Sequence, residues 1–227
     1  MIPDPRGPLV VGVSGASGTH YALRTLQRLN ELGVETHLVI SRGAAVTLAY
    51  ETDLKVNALR DLATRSYAVD DLTAPISSGS FLTRGMLIIP CSMRTVGEIA
   101  TGTPSTLLTR AADVILKERR RLVLVARETP LSLVHLRNMA TISEMGGIIA
   151  PPVPALYARP TTIEDLIDHT IGRVLDLFDL PSPNLARWSG HKIPRNRPNE
   201  PGALGKVDTF SATATWTGAS PDEQARI

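Results

Sequence analysis

Small residues cluster directly after the first apolar run of the chain, in the segment GVSGASG at positions 12–18. Small side chains let a backbone approach a ligand closely, and the free N–H groups at the start of a following helix attract anions. The spacing is not the G-x-G-x-x-G of dinucleotide-binding folds, so NAD is not favoured. The segment therefore predicts an anion site; the alternative is a tight turn that binds nothing.

A second polar segment, Pro90–Thr95 (PCSMRT), follows a later apolar run. Its hydroxyl and amide groups, placed before a helix, suit a phosphate or a flavin ring. The alternative is a helix start capped by Ser92 or Thr95. Cys91 has no histidine near it in sequence that would activate a thiol, so we expect a small buried side chain and not a nucleophile.

Charged residues end the next apolar run, in Arg127–Pro130 (RETP). Such a pair can bind an anion and exchange a proton, although it can also be a surface ion pair. Arg110 and Lys117 are seven residues apart, two turns along one helical face, so both can point at one anion. The basic run Lys117–Arg121 is more typical of a solvated helix end than of a nucleic-acid site.

These segments depend on an alternation of apolar strands and amphipathic helices. Such alternation predicts an α/β fold with a parallel, doubly wound sheet that is covered by helices on both faces, with ligands bound beyond the carboxyl ends of the strands. The predicted strands are 9–13, 38–40, 86–89, 122–126 and 148–149. Helices are predicted after Gly18 as far as Gly33, after the strand 38–40 through Tyr50, and over 54–63, 107–118, 132–143 and 163–177.

Composition narrows the class of protein. The chain has 227 residues, 43% hydrophobic content, a net charge of +2 and a single cysteine. This balance gives no reason to expect a nucleic-acid partner, and no apolar run reaches the roughly 20 residues of a membrane span. We expect a cytoplasmic protein with a loose N-terminal arm (1–8), one domain (9–188) and a flexible, proline-containing tail (189–227). Asp70-Asp71 makes no aspartate-rich metal motif, so no metal is expected.

The order of these motifs closely resembles the UbiX-type flavin prenyltransferases. The resemblance covers about residues 9–188, and its motifs are Gly15–Gly18 (GASG), Pro90–Thr95, Leu107–Arg120 (LLTRAADVILKERR), Leu122–Pro130 (LVLVARETP), Pro151–Pro160 (PPVPALYARP) and Gly172–Asp176 (GRVLD). Thr106, Arg121 and His20 depart from the usual pattern of the family, and the tail has no counterpart in it.

The resemblance implies a flavodoxin-like, three-layer αβα fold in a homo-oligomer, typically a dodecamer, with FMN at subunit interfaces. It implies a site of three parts. The residues that would hold FMN are Gly15, Ala16, Ser17, Ser41, Ser92, Met93, Arg94, Thr95 and Arg127. Those that would grip the phosphate of dimethylallyl monophosphate are Lys117, Tyr157 and Arg173, with Arg110 in the same active site. Those that would act at the reacting flavin edge are Ser17, Glu51 and Glu128, with Trp188 over the prenyl group.

The implied reaction joins a dimethylallyl group to N5 and C6 of reduced FMN and supplies prenylated FMN to a UbiD-type decarboxylase. Without a metal, the charge of the leaving group must be offset by arginine and lysine, which a monophosphate suits. An aromatic face and a carboxylate can stabilise an allyl cation. Two alternatives stay open: an FMN-dependent cysteine decarboxylase, disfavoured because the Pro90–Thr95 segment lacks the expected asparagine, and a carrier or small subunit that delivers flavin to a decarboxylase without catalysis.

Overall fold

The computed structural model of the chain describes residues 7–182, 185–188 and 190. Six parallel strands form one sheet in the order β3-β2-β1-β4-β5-β6. The strands are β1 (Leu9–Val13), β2 (Thr36–Ile40), β3 (Arg65–Tyr67), β4 (Gly85–Cys91), β5 (Leu122–Ala126) and β6 (Ile148–Ile149). Without the short edge strand β3, this is the flavodoxin-like order, which confirms the predicted fold.

In the described part of the chain, six α-helices lie between strands and a seventh follows β6. They are α1 (Thr19–Glu31), α2 (Arg42–Glu51), α3 (Val56–Arg60), α4 (Met93–Ala100), α5 (Leu107–Lys117), α6 (Leu133–Glu144) and α7 (Ile163–Asp176), with single 3₁₀ turns at Pro75–Ser77 and Leu156–Ala158. Sequence reasoning missed β3 because its three residues are polar or half-exposed and form no apolar run. It also made α3 too long at both ends.

The sheet separates two apolar cores. Alternate side chains of each strand point to opposite faces, so Leu9 and Val11 of β1 join one core and Val10 joins the other. Buried residues of α1, α2 and α7 pack in the first core, and those of α4, α5 and α6 pack in the second. Helices α5 and α7 therefore lie on opposite faces of the sheet.

Two arginines of the basic run after α5, Arg120 and Arg121, bind backbone carbonyls. Arg120 donates to the carbonyls of Phe81 (2.7 Å) and Gly79 (2.6 Å), and Arg121 donates to the carbonyl of Leu177. Arginine at position 121, a departure from the family pattern, thus joins the start of β5 to the end of α7.

Thr106, another departure from the family pattern, is the N-cap of α5. Its hydroxyl accepts from the amide of Thr109, and the Thr109 side chain accepts in return from the amide of Thr106. This reciprocal capping satisfies two amides that the helix itself leaves free. Among the described residues, none of the helices has the length and apolarity that crossing a lipid bilayer requires.

Candidate active site at the carboxyl ends of the strands

The strand order reverses between β1 and β4, which opens a crevice beyond their carboxyl ends. The two loops beside this crevice are joined by Ser14, whose side chain is buried. Its hydroxyl donates to the carbonyl of Pro90 (3.2 Å) and accepts from the amide of Ser92 (2.7 Å). Sequence reasoning did not single out Ser14. The feature that could have identified it is a hydroxyl side chain placed between the last residue of a buried strand and a glycine.

Gly15 brings the loop after β1 against the loop after β2. A Cβ on Gly15 would lie 2.9 Å from the carbonyl carbon of Gly43, so a larger residue would push the loops apart. Ser41 caps α2 at the same place, accepting from the amide of Ala44 over 3.1 Å. The predicted cofactor residues of β1 and β2 therefore lie beside one another.

The segment after β4 caps the start of α4. The Ser92 hydroxyl accepts from the amide of Thr95 (3.4 Å) and lies 3.1 Å from the Thr95 hydroxyl, so the capping interpretation is correct for these side chains. The amides of Met93 and Arg94, at the first two helical positions, have no carbonyl of a preceding turn to bond. Those amides and the helix dipole favour an anion at this point.

Cys91 is fully buried beneath this segment, and burial raises the pKa of its thiol far above the ordinary value. The prediction of a small buried side chain at this position is confirmed.

Glu51, at the end of α2, reaches the first turn of α1. Its carboxylate accepts from the amides of Gly18 (3.0 Å) and Thr19 (2.7 Å). Burial raises the pKa of Glu51, but hydrogen bonds from Ser17, Thr19 and Gly18 outweigh it and leave this pKa below its ordinary value. Glu51 is thus an ionised cap that fixes the Ser17 loop.

Arg127 and Glu128 follow β5 at the same edge of the sheet. The amide of Arg127 donates to the carbonyl of Cys91 (3.1 Å), which sets these residues beside the Ser92 segment. Both side chains are exposed in a single chain, and the Glu128 carboxylate accepts from the amide of Thr129 at 3.1 Å. Glu128 is therefore free to meet a ligand from this edge.

The donor set fits FMN. Free amides at the start of α4, the hydroxyl of Ser17 and the guanidinium of Arg127 match a phosphate monoester and the polar edge of a flavin. The close contact of Gly15 with Gly43 packs the loop after β1 against the first turn of α2 beside these donors. Among the described residues, no group of three histidine, cysteine, aspartate or glutamate side chains is arranged to hold a metal ion.

The predicted phosphate residues do not all meet within one chain. Arg110 and Lys117 do share a face of α5: Arg110 Nε donates to the carbonyl of Ser77 (3.3 Å), and a Cβ on Gly79 would lie 2.7 Å from Lys117 Nζ. Arg173 lies on α7, across the sheet. One chain therefore presents two separate halves of the predicted set.

The second half is a surface of polar contacts on α7. The Tyr157 hydroxyl lies 3.2 Å from His169 Nε2, and Arg173 Nη1 donates to Asp176 Oδ2 over 2.9 Å.

Trp188, the residue expected over the prenyl group, is 72% exposed and belongs to the second of two units, Trp188–Ile227. Apart from Gly190, the predicted tail (189–227) lies outside the described residues, and so do positions 1–6 of the predicted arm.

Two cavities lie away from the crevice. One of about 400 Å³ lies between α1, α7 and the Ala158–Pro160 loop, and one of about 430 Å³ lies at the amino-terminal edge of the sheet, beside Arg84 and Arg119–Arg121. Arg127 and Glu128 are exposed along the rim of the crevice.

A doubly wound sheet with a small-residue loop and a helix start at its switch point defines a mononucleotide-binding α/β protein. Residues 3–175 match the Flavoprotein family model. A probable UbiX-like flavin prenyltransferase of Streptomyces is 52% identical over 188 residues, covering 82% of this chain and 94% of the relative. The chain belongs to this family of flavin prenyltransferases.

Two solved structures resemble the fold closely. AnUbiX, solved in complex with FMN and dimethylallyl pyrophosphate, is 50% identical with a TM-score of 0.80, over 82% of this chain and 100% of that one. A dodecameric FMN-dependent UbiX-like decarboxylase of Escherichia coli is 48% identical with a TM-score of 0.79, over 81% and 100%. The similarity thus extends over nearly the whole described part of the chain.

Proposed function

We propose that this protein transfers the dimethylallyl group of dimethylallyl monophosphate to N5 and C6 of reduced FMN, releasing phosphate and forming prenylated FMN. The observation that carries this proposal is the crevice joined by Ser14, in which the FMN-type donor set lies beside Arg127 and Glu128. Family membership and the FMN complex of AnUbiX support the same cofactor.

The flavin is assigned to the residues around the switch point. The Gly15 amide and the amides at the α4 start would bind its phosphate and ribityl oxygens, with Ser41 and Arg127 at the rim. The Ala16 amide donates to the carbonyl of Ser14 (2.9 Å) and would shape the loop around the ligand. The Ser14 bridge and the Glu51 cap would keep these groups in place before the ligand arrives, so that binding needs little ordering of the protein. When bound, reduced FMN supplies the nucleophilic ring nitrogen and carbon that accept the prenyl group.

The phosphate of the second substrate is assigned to Lys117 and Arg110 of one subunit together with Tyr157 and Arg173 of another. The positions of α5 and α7 on opposite faces of the sheet support a site shared between subunits. A homo-oligomer is then required for activity, and the dodecamer of the Escherichia coli structure is the assembly we propose.

The remaining residues would manage charge and protons. Lysine and arginine offset the charge that develops on the departing phosphate. The carboxylate of Glu128 would stabilise the positive charge left on the allyl group. Glu128, exposed at the carboxyl end of β5, would also move a proton at the flavin edge.

Mass spectrometry of the flavin tests the reaction. We expect anaerobic incubation with reduced FMN and dimethylallyl monophosphate, without added magnesium, to give a flavin heavier by one C5H8 unit. Parallel incubation with the pyrophosphate, the ligand in AnUbiX, asks which leaving group is used; faster turnover of the pyrophosphate would contradict the monophosphate assignment.

Unmodified FMN from wild-type protein in both incubations would favour the carrier alternative, and decarboxylation of a cysteine peptide would favour the cysteine decarboxylase.

We also propose that the protein works in the cytoplasm and that its product passes to a UbiD-type decarboxylase. Loss of decarboxylase activity in cells that lack this protein, restored by added prenylated FMN, would support that transfer.

A further inference from the structure

One face of α7 collects three polar side chains, His169, Arg173 and Asp176. Their spacing of four and then three residues places them one above another along the helix. His169 contacts Tyr157, and Asp176 accepts hydrogen bonds from Arg173 and Arg187. Tyr157 meets His169 with its hydroxyl at 3.2 Å and its ring edge-on, with centroids 5.6 Å apart.

Asp176 holds two guanidinium groups at once. Its Oδ2 accepts from Arg173 Nη1 at 2.9 Å and from Arg187 Nη1 at 2.8 Å, while Oδ1 accepts from Arg187 Nη2 at 2.8 Å. The two arginines therefore lie side by side. The Asp176 side chain is only 18% exposed, whereas those of Arg173 and Arg187 are 55% and 56% exposed.

The segment that carries Arg187 is fastened to α7 along its length. Leu185 packs on Gly172, where a Cβ would lie 3.0 Å from the leucine Cδ1. The carbonyl of Ala186 lies 3.3 Å from His169 Nε2, and Ser182 Oγ donates to the carbonyl of Gly172 over 3.4 Å. The position of Arg187 is thus set by several contacts and not by its ion pair alone.

The charges on this face do not cancel. One carboxylate faces two guanidinium groups, which leaves an excess positive charge beside the Tyr157 hydroxyl. Hydrogen bonds from Arg187, opposed by burial and aided by the charges of both arginines, hold the pKa of Asp176 below its ordinary value, so it stays ionised at neutral pH. A guanidinium has five N–H donors, so each arginine keeps donors for a further anion.

We propose that Arg187 is a further phosphate-binding residue of the transferase site and that Asp176 is a positioning residue that pairs it with Arg173. The ligand class is the phosphate monoester of the prenyl donor, and Tyr157 completes the donor set. Because this builds on the transferase function proposed above, its test also needs a readout that does not require turnover.

The test compares Arg187→Gln and Asp176→Asn in the full-length, FMN-loaded protein. Two quantities are measured: the KM for dimethylallyl monophosphate and the Kd for inorganic phosphate. Loss of a charged hydrogen-bond partner should raise both by roughly tenfold to a hundredfold in Arg187→Gln and leave the Kd for FMN within about twofold. Asp176→Asn should raise them less, and the double variant should raise them at least as much as Arg187→Gln, because Asp176 positions Arg173 as well as Arg187.

The matched control is Asp168→Asn. Asp168 also lies on α7 and binds an arginine with both oxygens, Arg24 at 2.6 and 3.1 Å, but it belongs to no proposed site. This variant should keep the wild-type KM and phosphate affinity. If Arg187→Gln does not assemble, Arg187→Lys replaces it. Lysine keeps the charge but lacks the paired N–H donors of the planar guanidinium, so a severalfold rise in the KM for dimethylallyl monophosphate is expected.

Wild-type KM and phosphate affinity in a folded Arg187 variant would overturn the inference, as would equal effects of Asp168→Asn and Asp176→Asn. Failure of the proposed function looks different: the wild-type protein would transfer no prenyl group, yet Arg187→Gln would still weaken the binding of inorganic phosphate.

Discussion

The Ser14 hydroxyl accepts a hydrogen bond from the Ser92 amide, 2.7 Å away, across 78 residues of sequence. The same hydroxyl donates to the carbonyl of Pro90, so one buried atom fastens the loop after β1 to the loop after β4. These loops carry most of the residues assigned to FMN. The geometry of the flavin site therefore depends on a side chain that need not touch the flavin.

Ser14→Ala should weaken flavin binding without removing any assigned ligand. The Ser92 amide and the Pro90 carbonyl would lose a partner, and an unsatisfied buried group costs about 1–3 kcal/mol. We expect a lower free energy of unfolding and a rise of roughly tenfold in the Kd for FMN, measured by denaturation and by flavin titration. Ser143→Ala removes a hydroxyl that bonds within α6 at an exposed position, and it should change neither quantity. Unchanged FMN affinity in a folded Ser14→Ala protein would show that the bridge does not shape the site.

Glu51→Gln should change how stability depends on pH. The native pKa of Glu51 lies below its ordinary value, so the stabilisation by its carboxylate is complete above about pH 4.3 and is lost as pH falls through the native pKa. At pH 7 the variant should lose about 0.5–2 kcal/mol, the typical contribution of a helix cap. Its unfolding free energy should also fall less steeply in acid.

Denaturation from pH 7 down to pH 3 makes this comparison, with Glu144→Gln, an exposed residue at the end of α6, as the control. Parallel pH profiles for the wild type and Glu51→Gln would contradict the assignment of Glu51 as an ionised cap.

Mixed oligomers should reveal a site shared between subunits. Lys117→Ala and Arg173→Ala should each lose use of the prenyl donor by one to two decades, from about 1.5–3 kcal/mol per charged partner. Co-expression of the two variants should restore activity, because about a quarter of randomly assembled sites would receive the wild-type lysine from one subunit and the wild-type arginine from its neighbour.

As a control, the double variant Lys117→Ala/Arg173→Ala is co-expressed with wild-type protein at the same ratio. The activity of these oligomers shows how the two kinds of subunit mix. Mixed oligomers as inactive as either parent variant would mean that both residues act within one chain, or that one of them does not act at all.

Glu128→Gln separates flavin binding from proton transfer. Glutamine keeps the size and hydrogen-bonding capacity of the side chain but cannot exchange a proton, so turnover should fall by roughly 10²–10⁴-fold while the Kd for FMN stays near that of the wild type. Single-turnover measurements by flavin mass would detect the loss, with the exposed Glu164→Gln on α7 as a control. Full activity in Glu128→Gln would mean that another group transfers the proton, and the departing phosphate would be the next candidate.

Local patterns determined much of the fold. Runs such as Leu9–Val13 and Leu122–Ala126 are apolar without a break because both sheet faces are covered, so strand identity is visible in the sequence. The segments at the strand ends were also recognisable, since small residues and hydroxyls after an apolar run need no distant partner to be noticed. The short strand β3 lacked any such run, and only its pairing with β2 makes it a strand.

Tertiary structure alone decided how these segments meet. The Ser14–Ser92 bridge and the reach of Glu51 to Thr19 join residues far apart in the chain, and the order of strands that brings them together is not encoded in periodicity. The same holds for the phosphate residues: sequence placed Arg110 and Lys117 on one helical face, which is a local property. Arg173 lies across the sheet from them because α7 packs against the opposite face. The face on which each helix packs is fixed by the handedness and order of the whole sheet.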